Sequence, residues 1–117
     1  TFDALLAFAY MEMHYNHLPL CFIGHSHQPL VVEKGDKSLR PIRDSSFQVD
    51  WSRRYLINVG SVGQPRDGDP RLCYCVYDTE ERTVTLKRGT YDIATAQEKI
   101  RRAGLPEILA YRLELGQ

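Results

Sequence analysis

Residues 20–30 read Leu20-Cys21-Phe22-Ile23-Gly24-His25-Ser26-His27-Gln28-Pro29-Leu30. A short apolar run is cut by a glycine, and two histidines follow one residue apart. The unbroken apolar character of Leu20 to Ile23 predicts a buried strand, and Gly24 lets the backbone turn or approach another group closely. Pro29 keeps the strand from continuing. In an extended chain residues i and i+2 point the same way, so His25 and His27 are expected to present both imidazoles to one point beyond the strand's end. That is a metal-binding pattern, but a His-x-His pair is common. A zinc site usually needs three or four protein ligands, so any others must come from elsewhere.

Toward the N-terminus, Phe2, Leu5, Leu6, Ala9 and Met13 recur at spacings of three and four. This predicts an amphipathic helix from Phe2 to about Tyr15 that covers a sheet with that face. His14 and His17 stand near or just past its end, where they could join His25 and His27 in a four-histidine site. The negative pole of a helix is an ordinary place for histidine, and that plainer reading is preferred.

In the other direction, Leu30 to Glu33 reads as a strand closed by Lys34-Gly35-Asp36. Lys37 to Arg54 reads as a loop or irregular hairpin whose Trp51 either packs on the sheet or forms a contact surface. Tyr55 to Val59 is a strand running into Gly60-Ser61-Val62-Gly63-Gln64-Pro65-Arg66-Asp67-Gly68-Asp69-Pro70. Such a density of Gly, Pro and Asp predicts tight turns. The segment is either a plain hairpin loop or one whose small residues bring backbone N–H groups against an anion, with Arg66 as a phosphate contact. Strands at Arg71 to Asp78 and Thr83 to Tyr91 follow, joined by the turn Thr79-Glu80-Glu81-Arg82. A helix from Thr95 to Ala103, with Ala96, Ile100 and Ala103 inward, stops at Gly104. Another starts at Pro106 and runs to about Leu115 with Ile108, Leu109 and Leu113 inward.

The chain has 117 residues, the size of one small domain. Its 15 basic and 15 acidic side chains cancel, so no net field gathers nucleic acid or anionic lipid, and stable nucleic-acid binding is not expected. No apolar run is long enough to span a membrane, and there is no signal-peptide charge pattern. The chain opens at Thr1, directly in the predicted helix. A soluble, cytoplasmic chain, or a piece of one, is the expectation. Cys21, Cys73 and Cys75 are odd in number and read as buried free thiols in a reducing compartment.

Gly24-His25-Ser26-His27 followed by Pro29, and Asn58-Val59-Gly60-Ser61 continuing as Val62-Gly63-Gln64-Pro65-Arg66, together resemble the C-terminal half of the calcineurin-like metallophosphoesterases. The resemblance is to their small bacterial and archaeal phosphodiesterase branch, and it extends over essentially all of residues 1–117. The Gly-His-x-His segment is that family's last signature. The second motif departs from the usual Asn-Pro-Gly-Ser by having Val59 in place of proline.

The resemblance implies an α/β fold, the C-terminal part of an αββα sandwich with mixed sheet flanked by helices. It also implies a centre of two divalent metal ions, with His25 on one and His27 on the other. Neutral imidazole suits Mn, Fe, Ni or Zn. Two cations about 3.5 Å apart activate water for attack on phosphorus and neutralise the charge that develops there. By the same resemblance, Arg66, Gly60 and Ser61 line the site for a small phosphoester substrate. The family's other ligands lie in Asp-x-His, Gly-Asp-x-x-Asp and Gly-Asn-His-Glu or Asp segments and one further histidine. None of these is found in residues 1–117, and His14 and His17 do not fit the further histidine. The general acid and the bridging carboxylate are therefore expected upstream of Thr1. The chain alone should bind metal weakly and turn nothing over, and its first strand should show a free edge that the N-terminal half or a second copy covers. A module that keeps the fold for binding without catalysis is the alternative.

Overall fold

The computed structural model of the chain describes residues 2–117, the side chain of Phe2 excepted. In chain order the elements are α1 (Phe2–His14), β1 (Leu20–Ile23), β2 (Leu30–Lys34), β3 (Leu39–Ile42), β4 (Ser46–Gln48), β5 (Arg54–Asn58), β6 (Leu72–Asp78), β7 (Thr83–Gly89), α2 (Ile93–Arg102) and α3 (Glu107–Leu115).

β5 sets the layers. Residues Tyr55 to Asn58 are all buried, and successive strand side chains point to opposite faces. Tyr55 and Ile57 therefore join Val31, Val49 and Val84 in a core between two sheets. Leu56, on the opposite face, packs with Ala4, Phe8 and Met11 of α1. The first sheet has the order β1-β5-β2-β3, with β1 parallel and β2 antiparallel to β5. The second, β4-β7-β6, is antiparallel throughout. Helix, mixed sheet and second sheet thus stack in layers.

The sequence reading is corrected in several places. Lys37 to Arg54 holds β3 and β4 rather than only loop. β3 is an edge strand, where Pro41 does not cost a ladder hydrogen bond in the sheet interior. Trp51 is exposed, with the Arg82 guanidinium 5.5 Å from its ring centroid. In α1 the inward face is Ala4, Phe8 and Met11, whereas Leu5, Leu6, Ala9 and Met13 point outward, Met13 being 77% exposed. The Phe2 side chain lies outside the described residues. α1 is apolar nearly all round, so spacing alone does not select a face. Ile108 and Ala103 are exposed, and Gln97 is buried instead, its Nε2 donating to the carbonyl of Ala110 at 3.0 Å. β1 is half-exposed, not buried, because β5 is its sole partner in the sheet.

β1 and β6 are both edge strands, and they open on the same flank. A cleft of about 570 Å³ lies there, lined by Phe22, Val59, Val62, Cys73, Tyr74 and Tyr77 among others. The radius of gyration is 16.6 Å, against about 13 Å for a compact chain of this length. The surface is 7813 Å², where a compact monomer of this mass exposes about 6,500 Å².

Candidate metal-site turn

The β1–β2 connection carries His25 and His27, and the β5–β6 connection lies against it. Because β1 and β5 are parallel neighbours, both loops leave the same end of the sheet. The backbone at the histidines is not extended. His25 has φ 74° and His27 φ 59°, both in the left-handed region that non-glycine residues seldom occupy. Gly24 ends the ladder, and the chain turns tightly before Pro29. The i, i+2 argument for two parallel side chains in a strand therefore does not apply, although both histidines do belong to one turn at the strand's end. His25 is exposed and His27 half-buried.

Two loops far apart in sequence are stitched together here. The Asn58 side chain, buried at the end of β5, donates from Nδ2 to the Gly24 carbonyl at 3.0 Å and to Ser26 Oγ at 2.8 Å. Its Oδ1 accepts from the Gly60 amide at 3.1 Å. The Arg66 amide donates to the His27 carbonyl at 3.2 Å. Gln28 Nε2 returns a bond to the Arg66 carbonyl at 3.1 Å.

The contact that bears on chemistry is at His27, whose Nδ1 lies 2.7 Å from the backbone oxygen of Gln64. A carbonyl only accepts, so Nδ1 carries a proton, and whenever the ring is neutral its lone pair lies on Nε2. A metal-ligating histidine usually has such a partner on its other nitrogen, and this donor arrangement fits a divalent cation. Among the described residues, no group of three or more His, Cys, Asp and Glu side chains gathers as a metal site. His14 and His17 are exposed, and the His14 ring lies tilted against Tyr10 with ring centroids 4.5 Å apart.

In the glycine-rich loop, open in the sequence to a plain hairpin or an anion cradle, several amides are taken by the loop's own side chains. Gly60 N–H is taken by Asn58, while the Gly63 and Gln64 amides donate to Ser61 Oγ at 3.3 and 2.9 Å. These three N–H groups are turned inward on the loop's own side chains and are not free for an anion. Arg66 is folded back, its Nε donating to Gln64 Oε1 at 2.8 Å. Asn58, Gln28 and Gln64 escaped the sequence reading as functional candidates. The usable signal was an asparagine two residues before a glycine at the end of a strand.

All three thiols are free, with Cys73 buried and Cys21 and Cys75 half-buried. Burial pushes each of them above its ordinary range, so none is activated as a nucleophile.

No known family profile matches the chain. A solved metallophosphoesterase from Sphaerobacter thermophilus superposes with a TM-score of 0.75 at 44% identity, over 85% of this chain and 43% of that one. The chain is thus similar to part of a metallophosphoesterase fold. An uncharacterized protein of Methanocaldococcus jannaschii is 41% identical over 108 residues, 92% of this chain and 44% of that protein. The chain spans less than half the length of either relative. No helix among its described residues is long and apolar enough to cross a membrane.

Proposed function

We propose that the protein to which this chain belongs hydrolyses phosphate esters, phosphodiesters above all, at a centre of two divalent cations. In this reading His25 is a ligand of one cation and His27, through Nε2, of the other. Mn, Fe, Ni or Zn suits such donors. When bound, the cations activate water and neutralise charge developing at phosphorus. The observation that carries the reading is the 2.7 Å contact from His27 Nδ1 to the Gln64 carbonyl, which supports a ring held with its free nitrogen ready for a metal. Arg66 is the group of this chain we assign to the substrate phosphate, once released from Gln64. The carboxylate that bridges the cations and the acid that protonates the leaving group are assigned to residues outside this chain. So is the cover for the free edge of β1, from such a segment or from a second copy. Alone, the 117-residue chain is expected to bind metal weakly and to lack useful turnover. Its free thiols fit a reducing compartment, and we place it in the cytoplasm.

The test uses the intact protein loaded with Mn and a bis-nitrophenyl phosphate substrate, following nitrophenol release. Turnover that falls at least about 100-fold in His25→Ala and in His27→Ala supports the assignment. No release with any of the four metals, on phosphodiesters and phosphomonoesters alike, would favour a non-catalytic binding module instead.

A further inference from the structure

Two of three consecutive residues in the His25–Ser26–His27 turn hold positive φ, and neither is glycine. Such a backbone persists only where its surroundings over-determine it, and it is commonly kept where a side chain must be aimed. The surroundings that do so here come from the β5–β6 loop, through two side chains.

Asn58 is the first. Its amide nitrogen donates to Gly24 and Ser26 on one side of the gap, and its oxygen accepts from Gly60 on the other. An amide alone among side chains of this size offers two donors and an acceptor in that arrangement. A carboxylate would set oxygen against the Gly24 carbonyl oxygen.

Ser61 is the second. Its hydroxyl accepts from the Gly63 and Gln64 amides. Pro65, buried directly after, restricts Gln64 to extended backbone. Pinned from both directions, the Gln64 carbonyl faces His27 Nδ1.

We propose that Asn58 and Ser61 are positioning residues for the histidine turn, Asn58 tying its backbone to the central strand and Ser61 aiming the carbonyl that sets the His27 tautomer. The metal-binding consequence rests on the proposed role of His27 as a ligand, whereas the effect on the tautomer does not.

The test uses the intact protein with Mn²⁺ alone as probe and two readouts: affinity by calorimetry, and the His27 tautomer in metal-free protein by ¹⁵N NMR. Ser61→Ala should weaken Mn²⁺ binding about 10- to 100-fold and convert His27 from a single Nδ1–H form to a mixture. Ser61→Thr, which keeps the hydroxyl, should restore both. Asn58→Asp should behave like Ser61→Ala, and if it does not fold, the Ser61 pair decides. Unchanged affinity and an unchanged tautomer in Ser61→Ala would overturn the proposal. A shifted His27 tautomer in Ser61→Ala, together with wild-type Mn²⁺ affinity in His27→Ala, would uphold the positioning role and overturn the ligand assignment.

Discussion

Gly60 sits so tightly on Cys73 that a β-carbon built on it would lie 2.8 Å from the Cys73 Cβ and 3.0 Å from its Sγ. The obstruction is the root of a side chain on β6, which cannot swing aside. Gly60 also holds φ +77°, where a β-carbon is strained whatever the space. Gly60→Ala should therefore destabilise the fold by about 2–4 kcal/mol. Urea denaturation would measure this, and an alanine variant as stable as the parent would show that the loop and β6 do not approach so closely.

Glu33 gives a second prediction through an asymmetry. Its side chain is buried, and its carboxylate accepts from Arg53 Nη1 at 2.7 Å and Arg40 Nη2 at 3.0 Å, both arginines being exposed. Removing the acid leaves two cations that water can solvate. Removing the arginines strands a buried carboxylate, at a cost of about 1–3 kcal/mol. The double variant Arg40→Ala, Arg53→Ala should thus lose more stability than Glu33→Gln. The reverse order in thermal melts would mean that water reaches Glu33 freely.

What sequence could reveal follows the same physics. β5, β6 and β7 were readable because alternating or continuous apolar residues report burial directly. The β3 and β4 strands were not, since an edge strand such as β3, and a three-residue strand such as β4, can be polar and still pair. The turn with His25 and His27 stood out by residue type, but its left-handed backbone did not, because its shape is imposed by Asn58 and Gln64 more than 30 residues later. Likewise the inward face of α1 was hidden by apolar residues on its other face. Such a helix says that both faces are to be covered without saying by what.

Acid stability should report on Asp69. The Arg71 guanidinium, gripping both its oxygens, the Arg71 amide and nearby Arg88 hold its carboxyl at about 2, below the ordinary 3.8. A depressed carboxylate contributes stability that is fully present above 3.8 and is lost as pH falls toward 2. The loop it braces also seats the C-terminus, with the Gly68 amide donating to the Gly116 carbonyl at 2.9 Å. Asp69→Asn should be less stable than the parent at neutral pH, and its melting temperature should fall less steeply between pH 4 and pH 2. Parallel curves for the two proteins over that range would exclude the contribution.

The outward stripe of α1 yields the last prediction. Leu5, Leu6 and Met13 are exposed on the helix, and Phe22 and Ile23 are exposed on the adjacent edge strand β1, whose outer backbone groups have no partner strand among the described residues. An apolar patch beside an open edge favours association, because contact both removes apolar surface from water and offers the edge a strand to pair with. The 117-residue chain alone should therefore self-associate as its concentration rises in analytical ultracentrifugation. Replacing Leu5 and Met13 by lysine should suppress this while leaving thermal stability nearly unchanged, since neither side chain joins the Ala4, Phe8, Met11 and Leu56 core. A chain that stays monomeric at every concentration, or lysine variants that unfold it, would mean that this face is already covered by the chain itself.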